Sequence, residues 1–214
     1  FTFNNPKTPI IKLMGLVAEN TQVSIQGTKL KAKGPLLITH WGFSGPAVLK
    51  TSSFGARILS EKNYLFNIQI NWINETNYEK VIELIQQEII SHPKRTLRNL
   101  KVFKIPERLW NFIVEKSELT LEKKLHELGN KGINKLVDIL CNDVYQIKGK
   151  TTFKEEFVTC GGISLNSINL NTMESKEIKN LYFAGEIMDI DAITGGYNFQ
   201  AAWSTGFVAG KLKE

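Results

Sequence analysis

The sequence predicts an α+β chain in several parts. A β-barrel-like segment covers residues 1–76, a small helical domain 77–148, and the strand-turn-helix portion of a Rossmann-like dinucleotide-binding domain 149–214. Three observations carry this. Short strand-like apolar runs separated by Gly-containing turns extend to about Ile73; the apolar period switches to 3.6 from Asn77; and near the end an apolar run stops at a Gly-acid pair, after which a Gly-Gly turn opens an Ala- and Gly-rich helix.

In the first part, Gln22-Val23-Ser24-Ile25, Leu36-Leu37-Ile38-Thr39 and Leu65-Phe66-Asn67-Ile68-Gln69-Ile70 alternate or cluster as strands do, and Gln26-Gly27-Thr28 and Lys33-Gly34-Pro35 mark turns. A small barrel or sandwich is the expected product. Within it Ser44 is placed to cap a helix that Pro46 opens and that runs to about Phe54.

From Asn77 to about Ile147, Tyr78, Val81, Ile82, Ile85, Ile89 and Ile90 recur at helical spacing. Leu109, Phe112 and Ile113 predict a second helix, Leu121, Leu125 and Leu128 a third, and Ile133, Leu136, Val137 and Leu140 a fourth. His92-Pro93, Ile105-Pro106 and Gly129-Asn130 break them.

In the last part, Leu181 to Ala184 predict a short buried strand. Gly185 lets a ligand approach the backbone at its carboxyl end, and Glu186 is placed to accept hydrogen bonds from a ribose or ribityl hydroxyl. Gly195 and Gly196 precede a helix from about Asn198 to Leu212, whose unsatisfied N–H groups and dipole favour negative charge, such as a reduced flavin ring or a pyrophosphate. A tight strand-turn-helix corner using glycine for packing alone is the competing interpretation.

Composition bounds the rest. A 214-residue chain with 42% hydrophobic residues is long enough for one or two real cores. No apolar run approaches the ~20 residues of a membrane span, so no membrane association and a cytoplasmic location are expected. Two cysteines, Cys141 and Cys160, build neither a disulfide framework nor a metal site, and Cys141 fits a buried helical position. His40, His92 and His126 form no metal-ligand pair or Ser-His-Asp spacing. His40, before a glycine and a helix start, either donates a proton into a cavity or bonds a turn carbonyl; Cys160 either packs or presents a thiol near substrate. The net charge of +6 is concentrated at Lys94, Arg95, Arg98, Lys101, Lys104 and Arg108. Without interleaved stacking aromatics it is expected to be a solvated face and not a nucleic-acid patch.

Val158-Thr159-Cys160-Gly161-Gly162-Ile163, Asn171-Thr172-Met173-Glu174-Ser175-Lys176, Leu181 to Glu186, Asp189-Ile190-Asp191 and Thr194 to Ala202 together resemble the carboxyl-terminal part of the HI0933-like bacterial flavoproteins, relatives of the BaiN-type NAD(P)/FAD-dependent oxidoreductases. Thr39-His40-Trp41-Gly42-Phe43-Ser44-Gly45-Pro46-Ala47 is similar to a second signature of that family. The resemblance implies FAD as cofactor, NAD(P)H as electron donor, and hydride transfer to or from a small organic substrate. It also implies Glu186 as a ribityl ligand and the backbone of Gly195, Gly196, Tyr197 and Asn198 at the pyrimidine edge of the flavin, with Gly161 and Gly162 letting the chain pass close to the ring.

Members of that family open on a strand and a G-x-G-x-x-G turn for the FAD pyrophosphate, which this sequence lacks. The chain is therefore expected to be a fragment whose other FAD-binding half lies upstream, and to be inactive alone. The alternative from another class is a binding module that contacts RNA or a protein through its basic helical domain, the flavin motifs being structural only.

Overall fold

The computed structural model of the chain describes residues 1–151 and 158–211. Two compact units divide it, 1–151 and 152–214.

The first unit opens with strands β1 (Thr2–Asn4), β2 (Val17–Ile25), β3 (Lys31–Thr39) and β4 (Gly42–Ser44), then helices α1 (Pro46–Phe54) and α2 (Ala56–Glu61) and strand β5 (Leu65–Asn71). Helices α3 (Tyr78–Ser91), α4 (Glu107–Lys116) and α5 (Gly129–Asn142) follow, and strands β6 (Asp143–Lys148) and β7 (Lys150–Thr151) close the unit. All seven strands join one antiparallel sheet in the order β6-β5-β2-β3-β4-β1-β7. The two ends of that order are neighbours in sequence, separated only by Gly149. The Gly149 carbonyl accepts from the Asn4 N–H at 3.0 Å and its N–H donates to the Tyr64 carbonyl at 3.0 Å, so opposite margins of the sheet are held at one point. The sheet therefore curls into the barrel that the sequence predicts.

Alternation along the strands fills its interior. In β5, Phe66, Ile68 and Ile70 are buried, and in β6 Asp143, Tyr145 and Ile147 are buried with Val144, Gln146 and Lys148 exposed. Phe3 meets Phe66 edge-on at 5.1 Å between centroids, and Phe43 meets Tyr145 at 4.9 Å. The helices extend the same core: Val81 and Ile85 of α3, Leu109, Ile113 and Val114 of α4, and Leu136, Val137 and Leu140 of α5 are buried with the strand residues in one continuous cluster. α3 is capped as a helix start should be, the Asn77 side chain accepting from the Lys80 N–H at 3.2 Å.

Four local expectations are corrected. Lys33-Gly34-Pro35 is not a turn but part of β3; Pro35, which has no N–H to donate, lies where the β2–β3 register shifts between Ala18 and Thr21. Ser44 belongs to β4, paired with Leu37, so Gly45 and not Ser44 precedes α1. The third helix does not form. Leu97 and Arg98 donate N–H to Lys123 and Leu121 carbonyls and Leu125 to Arg95, so these groups are satisfied between two irregular segments, each carrying a 3₁₀ turn, Leu97–Asn99 and Leu125–Glu127. Finally, the helical stretch ends at Asn142, because residues 143–148 have a period of two and pair with β5.

Where α5 passes into β6, Asp143 is fully buried. Its carboxylate accepts from Trp72 Nε1 at 3.0 Å and from the Tyr145 hydroxyl at 2.6 Å, and is paired with Lys116 of α4, whose ammonium also lies 4.0 Å from the Tyr145 ring centroid. Burial raises the Asp143 carboxyl above the ordinary carboxylate range, opposed chiefly by the Lys116 charge. Helix, barrel and carboxylate thus meet in one satisfied polar knot.

The second unit is built with little regular structure. Its described residues contain the two-residue strands β8 (Ile168–Asn169) and β9 (Glu174–Ser175) and one long helix, α6 (Tyr197–Gly210), around a small core of Ile168, Met173 and Met188. Leu181 to Ala184, expected as a buried strand, is extended but bonded along one side only. The Leu181 carbonyl accepts from Ser175 N–H at 2.7 Å, and the Phe183 N–H donates to Met173 at 2.9 Å. Among the described residues little packs on the faces of this segment, so Leu181 is exposed and 182–184 are only half-buried.

Two outcomes follow from the first unit. Replacing Asp143 by Ala leaves two donors and an ammonium without their acceptor and should cost about 3–5 kcal/mol, toward the lower end because the Lys116 side chain is 30% exposed. Urea unfolding monitored by tryptophan fluorescence measures it, and a loss below about 1 kcal/mol would show the knot to be hydrated. Burial also pushes the Cys141 thiol up to about 12, whereas Cys160 is exposed. Iodoacetamide at neutral pH should label Cys160 in the folded chain and reach Cys141 only after unfolding, as peptide mass spectrometry would report.

Candidate functional site

The residues singled out by the Gly-acid and Gly-Gly signals lie in the second unit, and part of them converge on one cleft of about 230 Å³. Its wall on one side is the 3₁₀ turn Gly185–Ile187; on the other it is the loop 194–196 and the first turns of α6. Gly185, Glu186, Gly195, Gly196 and Asn198 line it, joined by Val158, Ile190, Thr194, Phe199, Ala201 and Ala202.

The local sequence explains this shape. Gly196 stands before α6 in the left-handed region, at φ 87°, and Gly185 is likewise at φ 78°. A Cβ added at either would meet nothing within 4 Å, so neither glycine is there to admit a protein neighbour; both leave bare backbone facing open space. Because Gln200 is the first residue of α6 to donate its N–H back along the helix, to Gly196 at 2.9 Å, the N–H groups of Tyr197, Asn198 and Phe199 belong to the unsatisfied first turn. No acidic residue occupies that turn. The cleft therefore pairs a positive helix end with one carboxylate, Glu186, which is exposed and accepts from the Thr159 N–H at 3.5 Å. Such a site suits a ligand that presents negative charge to the helix and a hydroxyl to the acid.

Two side chains hold the geometry, Thr205, which sequence reasoning did not single out, and Asn198, which it named for its backbone alone. Thr205 on α6 accepts from the Gly185 N–H at 3.0 Å while donating to the Ala201 carbonyl at 2.7 Å, which fixes the acid-bearing turn against the helix. The Asn198 side chain bonds both backbone groups of Ala192, accepting at 2.8 Å and donating at 2.9 Å, and so closes the loop that carries Gly195 and Gly196.

The other candidates lie elsewhere. Gly162 is outside the cleft lining: a Cβ there would come within 2.6 Å of the Ile187 carbonyl, because the segment at Ile163 runs beside 187–189, with Ile163 N–H to Ile187 at 2.9 Å and Asp189 N–H to Ile163 at 3.0 Å. Its need for glycine is thus a close backbone approach. Gly161 and the exposed Cys160 adjoin it without lining the cleft. Tyr197 is 59% exposed, with its ring over Gly195. His40 is in the first unit, exposed, its ring edge-on to Trp41 at 4.3 Å between centroids. Among the described residues no group of His, Cys, Asp and Glu could hold a metal ion, and no helix is long and apolar enough to cross a membrane.

Comparison with known proteins agrees with the resemblance read from the motifs. The chain is 29% identical over 207 residues to the ribosomal RNA dihydrouridine synthase of Haemophilus influenzae, covering 97% of this chain and 48% of that protein. Its identity to the ribosomal RNA dihydrouridine synthase of Escherichia coli is 29% over 208 residues, covering 97% and 49%. It is 26% identical to the 3-dehydro-bile acid delta(4,6)-reductase of Clostridium scindens over 207 residues, covering 96% and 50%. The chain spans about half the length of the curated relatives it matches. These relatives carry the names of enzymes, and the matches run through both units. A family model described as the HI0933-like protein barrel and H2TH domain matches residues 1–158, the barrel with its helices, and on that match the chain belongs to the HI0933-like family.

Proposed function

We propose that the chain is part of an FAD-dependent reductase that adds a hydride and a proton across a carbon–carbon double bond conjugated to a carbonyl. The observation that carries this is the cleft between Gly185-Glu186 and the start of α6, where two glycines with open space above them, one carboxylate and an unsatisfied helix end converge. FAD, reduced by NAD(P)H, would supply the hydride. This chain's residues would do the holding: Glu186 would accept from a ribityl hydroxyl, and the first-turn N–H groups of Tyr197 and Asn198 would stabilise the negative charge of the reduced flavin. Thr205 and Asn198 keep both walls in register. The match to half of each relative supports a further cofactor-binding segment outside these 214 residues.

The names of the relatives support the reaction class. A dihydrouridine is a uridine saturated at its C5–C6 double bond, and a delta(4,6)-reductase saturates a double bond conjugated to a carbonyl in a bile acid; both reductions place hydride on an electron-poor carbon. We take a uracil of structured RNA as the substrate class, because the two relatives at 29% identity are named for it and because the first unit carries a surplus of positive charge between residues 94 and 108.

The test uses the full-length protein. It should purify yellow, and with NAD(P)H under anaerobic conditions it should lower the uracil absorbance of a ribosomal RNA fragment. Glu186→Ala should lower flavin affinity roughly ten- to a hundredfold, from the loss of charge-assisted bonds of about 1.5–3 kcal/mol. Glu186→Gln should cost less, and neither should shift the melting temperature of the flavin-free protein. Gly196→Val should abolish flavin binding, since its side chain fills the cleft and its backbone resists a positive φ. Full flavin content in Glu186→Ala would remove the assigned role.

A further inference from the structure

The first unit holds a second cleft, of about 330 Å³, between the 3₁₀ turn Leu97–Asn99 and α4. Its floor is apolar and rigid: Leu100 and Trp110 are buried, and Trp110 Nε1 donates to the Leu97 carbonyl at 2.8 Å, pinning the helix to the turn. Phe103 rises from that floor, partly buried, its ring 6.5 Å from the Trp110 ring. Arg98 and Lys101 stand at the rim, with Asn99 and Glu107.

Residues 94–108 contain six cations and one acid. The structure decides which of those charges are already used. Arg95 pairs with Glu88 at 2.8 Å, Arg98 pairs with Glu122 at 2.5 Å, and Arg108 donates to the Lys12 carbonyl at 3.1 Å. Lys101 and Lys104 are exposed, and neither has an ion pair among the described residues. A solvated basic face would scatter its cations over polar surface; here the unspent Lys101 lines a concave cleft with an aromatic ring in it, and the exposed Lys104 directly follows that ring in sequence. The volume falls within the range of small-ligand sites, about 300–1,000 Å³.

We infer that this cleft binds an unpaired segment of RNA, with a base against Phe103, one flanking phosphate on Lys101 in the cleft lining and the next on the exposed Lys104 beyond it. Stacking on an aromatic floor beside a cationic rim is how single strands are held without strict sequence reading. An acidic peptide would meet the same cations but would be repelled by Glu107 in the wall, whereas a base offers that carboxylate an exocyclic amino group. The inference rests on the RNA reading of the substrate and deepens it: the helical part of the first unit would grip the strand and the reaction would occur elsewhere.

The experiment is fluorescence anisotropy of the full-length protein with a labelled, unstructured RNA oligonucleotide across a salt series, with polyglutamate as competitor. Lys101→Gln and Lys104→Gln should each weaken binding evenly across sequences and lower the magnitude of the log–log salt slope by about 0.7. Phe103→Leu, which keeps an apolar floor, should weaken binding about five- to a hundredfold. Melting temperature and flavin content should be unchanged in all three. Wild-type affinity in Phe103→Leu and Lys101→Gln would overturn the inference, even where uracil reduction proceeds; so would equal competition by polyglutamate. RNA binding that these variants weaken, in a protein that reduces no uracil, would uphold the cleft and sink only the proposed reaction.

Discussion

A single buried carboxylate ties the first unit together. Asp143 stands where α5 becomes β6, and a charge placed there without partners would cost several kcal/mol. It is met instead by Trp72 just after β5, Tyr145 within β6 and Lys116 at the end of α4. Those three residues are far apart in sequence, so the carboxylate is satisfied only when helix and barrel are both in place. Trp72 is held again through its N–H, which donates to the Leu140 carbonyl of α5 at 2.8 Å. The barrel's closure then follows, since β6 must run beside β5 for Asp143 to reach Trp72, and Gly149 directs the chain onward to meet β1.

The second unit is governed by a different constraint. It has few ladder bonds among its described residues, so its geometry is held by side chains that bond backbone: Thr205 to Gly185, Asn198 to Ala192, Ser175 to Glu177 and Ile178. Such bonds leave glycines free to expose backbone where a ligand is to lie. The consequence is a cleft whose polar groups are placed with few partners among the described residues, the Glu186 carboxylate and the first-turn N–H groups of α6.

The two clefts divide the labour of the proposed reaction. A reductase acting on a base within RNA must both hold a flavin and hold a strand, and these need opposite surfaces: fixed dipoles and a carboxylate for one, mobile cations and an aromatic floor for the other. The glycine-lined cleft lies within the second unit and the basic cleft within the first.

Much of this was legible in sequence. The period of two in Leu65 to Ile70, the helical period from Tyr78 to Ile90 and the Gly-Gly turn before α6 each depend on neighbours a few residues away, and each formed as expected. So did the membership in the family, because Glu186 and the glycines around it form a local pattern. What sequence could not supply were features set by distant partners. Leu121, Leu125 and Leu128 have helical spacing, yet their backbone groups were taken by residues 95–98. Residues 143–148 pair with β5, which lies more than seventy residues earlier. The charges between 94 and 108 look alike in sequence, and only the fold pairs Arg95 and Arg98 with glutamates while leaving Lys101 in the lining of a cleft and Lys104 exposed. Local periodicity and turn chemistry are determined by the chain itself; which polar groups are spent and which are left to act is decided by tertiary contact, because satisfaction depends on what arrives from elsewhere in the fold.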